Sequence, residues 1–524
     1  MRRLLFNLII FLCTTSLFAQ PKMPKSLSNL DAYVSRVMQT FSVPGVGLAI
    51  VKDGKVLMAK GYGVRKLGEL SPVDAQTLFS IASNTKAFTA TALAILVAEG
   101  KLKWDAPVVD YLPWFQLFDP YVTHQLTVRD LLVHRSGLGL GAGDLLWYPA
   151  STYDRKEIAR RLRFLPLVKS FRSVYAYDNV LYSVAGEIIE AVSGQSWEDF
   201  VTKRILDPVG MSNSNVRHSA IIAMQNVATP HAEINGIVRP VVPFTSDNVN
   251  PAGGIISCAG DMAQWMTVQL DSGRLPNGER LFPRATMENL WGFVTPIPIG
   301  DPPPELSPLR ANFNGYGLGF GLRDYRGYKL VSHTGGLPGF LSRVTLIPEI
   351  KLGVTILTNQ ESGYAFNAIT YYVLDKFLKA PSFDWLAAFQ KIKIKADSTM
   401  AAREKSFTAS RDSSSHSSLP LGRYAGDYVD AWYGDISISL EQGRLAMRFL
   451  HTPDLIGDLE HWRYDTFVVR WRDRELRADA FVTFALNPDG SIDQVKMRAV
   501  SPFTDFSFDF QDLLLKPVVT KKQE

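Results

Sequence analysis

The order of strand and helix patterns between Leu30 and Lys379 constrains the fold of this chain more than any other feature. An apolar hairpin is predicted near the start, at Val46–Met58, with its turn at Asp53-Gly54. Strand-like runs return late in the segment, at Tyr316–Leu322, Tyr328–Ser332, Phe340–Ile347 and Leu352–Thr358. Helical periodicity predicts Thr85–Glu99, Asn179–Val192, Asp261–Leu270 and Tyr364–Leu378. Strands at both ends with helices between them predict an α+β domain whose terminal segments share one antiparallel sheet, flanked by helices.

The sequence changes character after this segment. Residues 396–418 include a run rich in serine and poor in apolar residues, which is typical of a flexible linker. Beyond it, Leu421–Leu515 is rich in aromatic residues and has turn signals at Glu441-Gln442-Gly443 and Pro488-Asp489-Gly490. This pattern predicts a small all-β barrel or sandwich. We therefore expect one large α+β domain at 25–385, a linker at 396–418 and a β-domain at 419–518.

The N-terminus has the pattern of a secretory signal. Arg2-Arg3 precedes a short apolar run that ends near Ala19, so residues 1–19 are predicted to be removed on export to the periplasm or outside the cell. Cys13 also permits a lipidated form, although the bulky Leu12 before it disfavours this. No run is long enough for a transmembrane helix, and Cys258 is left as a single cysteine, expected to be buried. A formal net charge of +5 without a basic cluster argues against nucleic-acid binding.

The pair Ser83 and Lys86 opens the predicted helix Thr85–Glu99. A serine hydroxyl is a weak nucleophile and needs an adjacent base. Residues three apart share a helix face, so the Lys86 amine can reach the Ser83 oxygen, and apolar neighbours would lower the pKa of that amine. The bland alternative is a helix-capping serine followed by a surface lysine.

Two further stretches carry polar groups suited to the same chemistry. In Tyr175-Ala176-Tyr177-Asp178-Asn179, the side chains of Tyr177 and Asn179 point to one side of an extended segment. The phenol can relay a proton if a neighbouring ammonium lowers its pKa, whereas Asn179 either orients Lys86, binds a substrate carbonyl or simply caps the next helix.

The second stretch is His333-Thr334-Gly335-Gly336, which closes a predicted strand. Its glycines let a substrate approach the backbone, and the backbone N–H of Gly336 is expected to form an oxyanion hole together with that of Ser83. His333 is a polar group at the rim of the cleft, and a structural role for it is the plainer alternative.

Ser-x-x-Lys, Tyr-x-Asn and a His-Thr-Gly strand, in this order, resemble the serine β-lactamase and penicillin-binding-protein superfamily. Tyr-x-Asn as the middle motif is similar to the class C branch, with its D-aminopeptidase and esterase relatives. Three other segments share the likeness: Leu131–Leu138, Ile205–Met211 and Pro251–Gly254. The β-domain more loosely resembles the lipocalin-like domain appended to some members.

The resemblance implies roles for these residues. Ser83 would be the acylated nucleophile, Lys86 and Tyr177 the proton-handling pair, and the substrate contacts would come from Asn179, His333, Thr334 and Gly335. True β-lactamases carry Lys where this chain has His333, which favours peptide or ester substrates over β-lactams.

The function expected is a metal-free and cofactor-free exported serine hydrolase, most of all a peptidase or D-amino-acid-directed amidase acting on a peptide or small molecule. An esterase or β-lactamase of the same fold is an alternative, as is a sensor that binds ligand without turnover. The β-domain is expected to restrict access to the cleft, to mediate oligomer contacts or only to stabilise the chain.

Overall fold

The computed structural model describes residues 23–412 and 414–518. The predicted signal peptide, residues 1–19, and Cys13 lie outside this range. The described residues form twelve α-helices: α1 (Leu30–Thr40), α2 (Thr85–Ala98), α3 (Pro120–Gln125), α4 (Arg155–Arg161), α5 (Val180–Ser193), α6 (Trp197–Val201), α7 (Asp207–Val209), α8 (Asn250–Gly253), α9 (Ala259–Leu270), α10 (Thr286–Leu290), α11 (Gly363–Leu378) and α12 (Trp385–Ala409). In the part of the chain so described, no helix combines the length and apolar character needed to cross a bilayer.

The first twelve strands are β1 (Gly45–Lys52), β2 (Lys55–Gly63), β3 (Phe79–Ser80), β4 (His231–Ile234), β5 (Ile237–Pro240), β6 (Ile256–Ser257), β7 (Thr295–Pro296), β8 (Asn314–Tyr316), β9 (Gly321–Tyr325), β10 (Tyr328–Leu337), β11 (Phe340–Ile347) and β12 (Leu352–Thr358). Eight of them form one antiparallel sheet in the order β2-β1-β12-β11-β10-β9-β8-β7. Strand β1, from the start of the segment, pairs with β12 from its end. The predicted sharing of one sheet by the two ends of an α+β domain is confirmed.

Alternating side chains on β1 place two cores on the two faces of this sheet. Leu48 and Ile50 pack with α1 and α11 on one face, whereas Ala49 and Val51 belong to the core around α2 and α9 on the other. Helix α2 is apolar around most of its surface and its residues from Thr85 to Leu96 are buried. A helix buried on all sides lies at the centre of a domain, and α2 therefore gives the site a rigid support.

One predicted strand is wrong. Tyr316–Leu322 is two strands, β8 and β9, because the chain turns between them: Gly317 N–H donates to the Phe320 carbonyl at 2.8 Å, and Gly319 has a φ of +79°. A residue with a side chain is strained at this φ, so the glycine permits the turn. The predicted strands Phe340–Ile347 and Leu352–Thr358 are present with the predicted ends, and the other predicted strands and helices of the segment are present with shifted ends.

The C-terminal region is a closed antiparallel barrel of eight strands: β13 (Gly426–Asp430), β14 (Gly434–Glu441), β15 (Arg444–Phe449), β16 (Ile456–Arg463), β17 (Thr466–Trp471), β18 (Ala480–Leu486), β19 (Ile492–Ala499) and β20 (Leu514–Pro517). This confirms the barrel and excludes the sandwich. Buried aromatic side chains pack in its core, among them Tyr433, Phe449, Trp471 and Phe510. The predicted linker, residues 396–418, begins inside helix α12, and the domain bounds themselves stay a prediction.

Candidate active site

Ser83 lies in a tight turn that is held by two hydrogen bonds of the residue before it, Ile81. The turn, Ala82–Asn84, leads directly into α2, and Ala82 has a φ of +46°, which is unusual for a residue with a side chain. Ile81 anchors the turn, because its N–H donates to the Ile255 carbonyl at 3.0 Å and its carbonyl accepts from Ser342 Oγ at 2.6 Å. Backbone strain of this kind persists where the surroundings over-determine it, often at functional sites.

Lys86 is fully buried and its amine meets three oxygens. Its Nζ lies 3.1 Å from Ser83 Oγ, 2.7 Å from Asn179 Oδ1 and 3.1 Å from the Ala252 carbonyl oxygen. Burial lowers the pKa of Lys86 to about 7, although the carboxyls of Asp144 and Asp178 act to raise it. The lowered pKa expected from the apolar surroundings is therefore found, and the amine is available in its neutral form near pH 7.

Tyr177 lies beside the side chains of Ser83 and Lys86. Lys86 Nζ is 4.8 Å from the centre of the Tyr177 ring. Burial raises the pKa of Tyr177 well above 10, and among its neighbours only Ser83 acts in the other direction. The expectation that a neighbouring ammonium lowers this pKa is wrong, because complete burial disfavours the phenolate more than its neighbours favour it. Tyr177 is thus a neutral phenol that can accept and donate a proton in concert.

The side chain of Asn179 contacts Lys86 and does not cap a helix. Although it precedes α5, its side chain makes no capping hydrogen bond. Its Oδ1 accepts from Lys86, and its Nδ2 donates to Asp144 Oδ2 at 2.8 Å. Of the three roles that the sequence left open for Asn179, the contact with Lys86 is the one seen.

The predicted His-Thr-Gly stretch forms the end of β10, opposite α2. His333 is buried: Nδ1 lies 2.6 Å from the Thr334 carbonyl oxygen, and Nε2 lies 2.6 Å from the Tyr316 hydroxyl. Because a carbonyl only accepts, Nδ1 carries the hydrogen and Nε2 accepts from Tyr316. Burial, reinforced by Lys86, lowers the pKa of His333 to about 3, so this side chain stays neutral at physiological pH.

The glycines of this stretch have different positions. A Cβ on Gly335 would lie 2.0 Å from the Ile81 carbonyl oxygen, so glycine is needed for β10 to approach the Ser83 turn. Gly335 does not line the cleft, whereas Gly336 and Thr334 do. Gly335 therefore packs against the Ser83 turn, and a substrate contact for it stays a prediction.

A cleft of about 1150 Å³ opens over Ser83. Tyr177, Asn179 and His333 line it, and so do residues of the barrel, including Phe506 and Ser507. Sequence reasoning missed three groups around Lys86: the Ala252 carbonyl, the buried Asp144 and the distant Ser507. Ala252 lies in Pro251–Gly254, one of the segments that carried the family likeness, but no pattern identified Asp144 or Ser507.

This sheet, with its buried central helix and serine–lysine turn, defines the fold class of the serine β-lactamases and penicillin-binding proteins. Residues 30–377 match the family described as Beta-lactamase, and residues 410–517 match one described as a domain of unknown function (DUF3471). The chain belongs to the beta-lactamase family, since the first match covers more than half of it.

Curated relatives extend the likeness. The unguisins hydrolase ungD of Aspergillus violaceofuscus is 28% identical over 441 residues, which are 79% of this chain and 76% of that protein. Protein flp of Staphylococcus aureus strain COL is 26% identical over 344 residues, 65% of this chain and 64% of that one.

Solved structures share the fold. A penicillin-binding protein homologue from Pyrococcus abyssi, described as octameric, is 24% identical with a TM-score of 0.60, and the match covers 94% of this chain and 100% of that one. The D-amino acid amidase of Ochrobactrum anthropi SV3 is 23% identical with a TM-score of 0.55, covering 67% of this chain and 99% of the amidase.

Proposed function

We propose that this chain is an exported serine hydrolase that forms an acyl-enzyme on Ser83. The hydrogen bonding of Lys86 carries the proposal. Two of its three partners, Asn179 Oδ1 and the Ala252 carbonyl oxygen, can only accept. A neutral amine has two N–H groups and one lone pair, so these two acceptors take both hydrogens. The lone pair is then directed at the Ser83 hydroxyl.

The reaction follows from this arrangement. Lys86 Nζ takes the proton of Ser83 as Oγ attacks the substrate carbonyl carbon, and the carbonyl oxygen becomes an oxyanion. The backbone N–H groups of Ser83 and Gly336 would stabilise that oxyanion. Tyr177 passes the proton to the leaving nitrogen or oxygen, whose bond to carbon breaks. Water then attacks the acyl-enzyme and releases the acid, with Lys86 and Tyr177 accepting and returning its proton.

The substrate class that we propose is a peptide or amide, with a D-amino-acid residue at the scissile carbonyl as the leading choice. The cleft of about 1150 Å³ is large enough for a peptide segment. The relatives whose names state a substrate are hydrolases of unguisins, and the shared fold includes a D-amino acid amidase and a D-stereospecific amidohydrolase. The neutral His333 offers no positive charge for a β-lactam carboxylate, so β-lactams rank below amides and esters. Thr334 and Asn179 would contact the substrate backbone.

The nucleophile is tested with a fluorophosphonate probe and intact-mass measurement. We expect one adduct on the wild type, none on Ser83→Ala, and normal labelling of Ser35→Ala, a control on the exposed face of α1. A panel of D- and L-aminoacyl anilides, p-nitrophenyl esters and a chromogenic cephalosporin then ranks the substrates, with Lys86→Ala as the blank. An unlabelled wild type contradicts the proposal, and a labelled wild type that releases product from none of the panel substrates indicates a sensor instead.

Export and the role of the barrel are part of the same proposal. Cleavage after Ala19 predicts a mature protein that begins at Gln20, which N-terminal sequencing of the secreted or periplasmic protein checks. We further propose that the barrel is lipocalin-like in descent and limits access to the cleft. Oligomerisation through the barrel is a separate prediction, tested by light scattering on the full-length protein.

A further inference from the structure

The loop between β19 and β20 of the barrel reaches into the cleft of the hydrolase domain. Phe506 and Ser507, both in this loop, line the cleft beside Tyr177, and the rings of Phe506 and Tyr177 meet edge to face with centres 6.0 Å apart. A Cβ added to Gly141 would lie 2.6 Å from the Phe506 carbonyl oxygen. The barrel therefore forms part of the wall around the reacting groups, in close backbone contact with the hydrolase domain.

Asp509 fixes this loop in place. Its carboxylate is fully buried and accepts from the backbone N–H groups of Gly143 at 2.6 Å and Leu145 at 3.2 Å. These two donors flank Asp144. The backbone of the hydrolase domain is thus held at a fixed position relative to the Asp509 side chain of the barrel. The contact places Ser507 opposite the Asp144 side chain.

The Asp144 carboxylate connects the barrel to the lysine. Its Oδ2 accepts from Ser507 Oγ at 2.8 Å and from Asn179 Nδ2 at 2.8 Å, while its Oδ1 accepts from Trp147 Nε1 at 2.8 Å. Asn179 in turn accepts from Lys86. A continuous path of hydrogen bonds thus runs from Ser507 through Asp144 and Asn179 to the amine beside Ser83.

We propose that Ser507 and Asp144 are positioning residues for Lys86, so that the barrel completes the active site. Burial raises the pKa of Asp144 to about 7, whereas its three donors and Lys86 act to lower it. In its ionised form this carboxylate only accepts, so Asn179 turns its NH₂ toward Asp144 and its oxygen toward Lys86, as the two hydrogen bonds of its amide show. That orientation engages one N–H of Lys86 and leaves the lone pair for Ser83. The inference rests on the proposed function, because it assigns a task within the same proton transfer.

Loss of the Ser507 hydroxyl removes one of the three donors that satisfy a buried carboxylate. A buried carboxylate with too few donors takes up a proton, and a protonated Asp144 can donate to Asn179. The amide is then free to rotate and turn its NH₂ group toward Lys86. The consequence is a slower proton transfer from Ser83 with little change in how a small ligand binds.

The test measures fluorophosphonate labelling of Ser83 in the full-length protein, with the maximal rate and the half-saturating concentration determined separately. We expect Ser507→Ala to lower the maximal rate about tenfold and to change the half-saturating concentration less than about twofold. Ser507→Thr, which keeps the hydroxyl, should restore most of the rate. Asp144→Asn should lower the rate about a hundredfold, since its amide can face Asn179 with either end. Ser491→Ala, in the turn before β19, is the matched control.

Three outcomes contradict the inference. One is a Ser507→Ala protein that is labelled as fast as the wild type, and another is a Ser507→Thr protein as slow as Ser507→Ala, which would indicate packing rather than the hydroxyl. The third is a rate that falls only in parallel with the melting temperature. A wild type that takes no label contradicts the proposed function and this inference together, whereas a labelled wild type with an unchanged Ser507→Ala contradicts this inference alone.

Discussion

The two walls of the cleft each carry a nitrogen base in a different environment. On the α2 wall, Lys86 is buried among acceptors and its pKa falls to about 7. On the β10 wall, His333 is buried with both ring nitrogens engaged, and its pKa falls to about 3. Burial lowers both values, but only Lys86 keeps a lone pair free to face Ser83. Lys86 therefore combines a pKa near neutrality, which it owes to the high ordinary pKa of lysine, with a lone pair free to take the proton of Ser83.

The largest effect is expected from removing the base of the α2 wall. Lys86→Met has a similar length but no lone pair, and we expect the second-order rate constant for ester or amide hydrolysis to fall about 10³- to 10⁴-fold. Steady-state kinetics measure it, with Lys101→Met as an exposed control. A loss of less than about tenfold would contradict Lys86 as the base and indicate that another group accepts the proton.

A smaller loss is expected for the phenol between the two walls. Tyr177→Phe keeps the ring but removes the hydroxyl that we propose as the proton donor, so proton transfer to the leaving group is slower. We expect kcat to fall about 10²-fold for anilides, which have a poor leaving group, and less for p-nitrophenyl esters. The measurement is the loss in kcat on the anilide divided by the loss in kcat on the p-nitrophenyl ester. Equal losses on both would contradict a role in leaving-group protonation.

The smallest effect is expected on the β10 wall. His333→Lys introduces an ammonium that can bind a substrate carboxylate by a charge-assisted hydrogen bond. We expect the preference for a cephalosporin over a neutral ester to rise about tenfold, which corresponds to about 1.4 kcal/mol. His333→Gln, which stays neutral, is the control. An unchanged preference would show that the charge at this position does not set the substrate class.

The parts of the fold and site that sequence predicted are those encoded locally. The hairpin of β1 and β2 and the helix after Ser83 follow from apolar periodicity and turn residues, and the pairing of Ser83 with Lys86 follows from their spacing. The prediction of a single strand at Tyr316–Leu322 is wrong because an apolar pattern does not show that Gly319 turns the chain.

The remaining parts depend on contacts between distant residues. Asp144 is 35 positions from Asn179 and 363 positions from Ser507, and the Ala252 group that bonds Lys86 is a backbone carbonyl, which any residue has. Neither a motif nor a composition reports such contacts. The raised pKa of Tyr177 cannot be predicted from the sequence either, because it results from burial, and burial follows from tertiary packing.

Proton transfer from Ser83 to Lys86 is tested most directly by the pH dependence of fluorophosphonate labelling. Since the pKa of Lys86 is lowered to about 7, the amine is protonated below that pH and neutral above it. The labelling rate should therefore fall about tenfold per pH unit below about 7 and level off above it. A rate that is flat from pH 5 to 9, or still rises tenfold per unit at pH 9, would contradict Lys86 as the base.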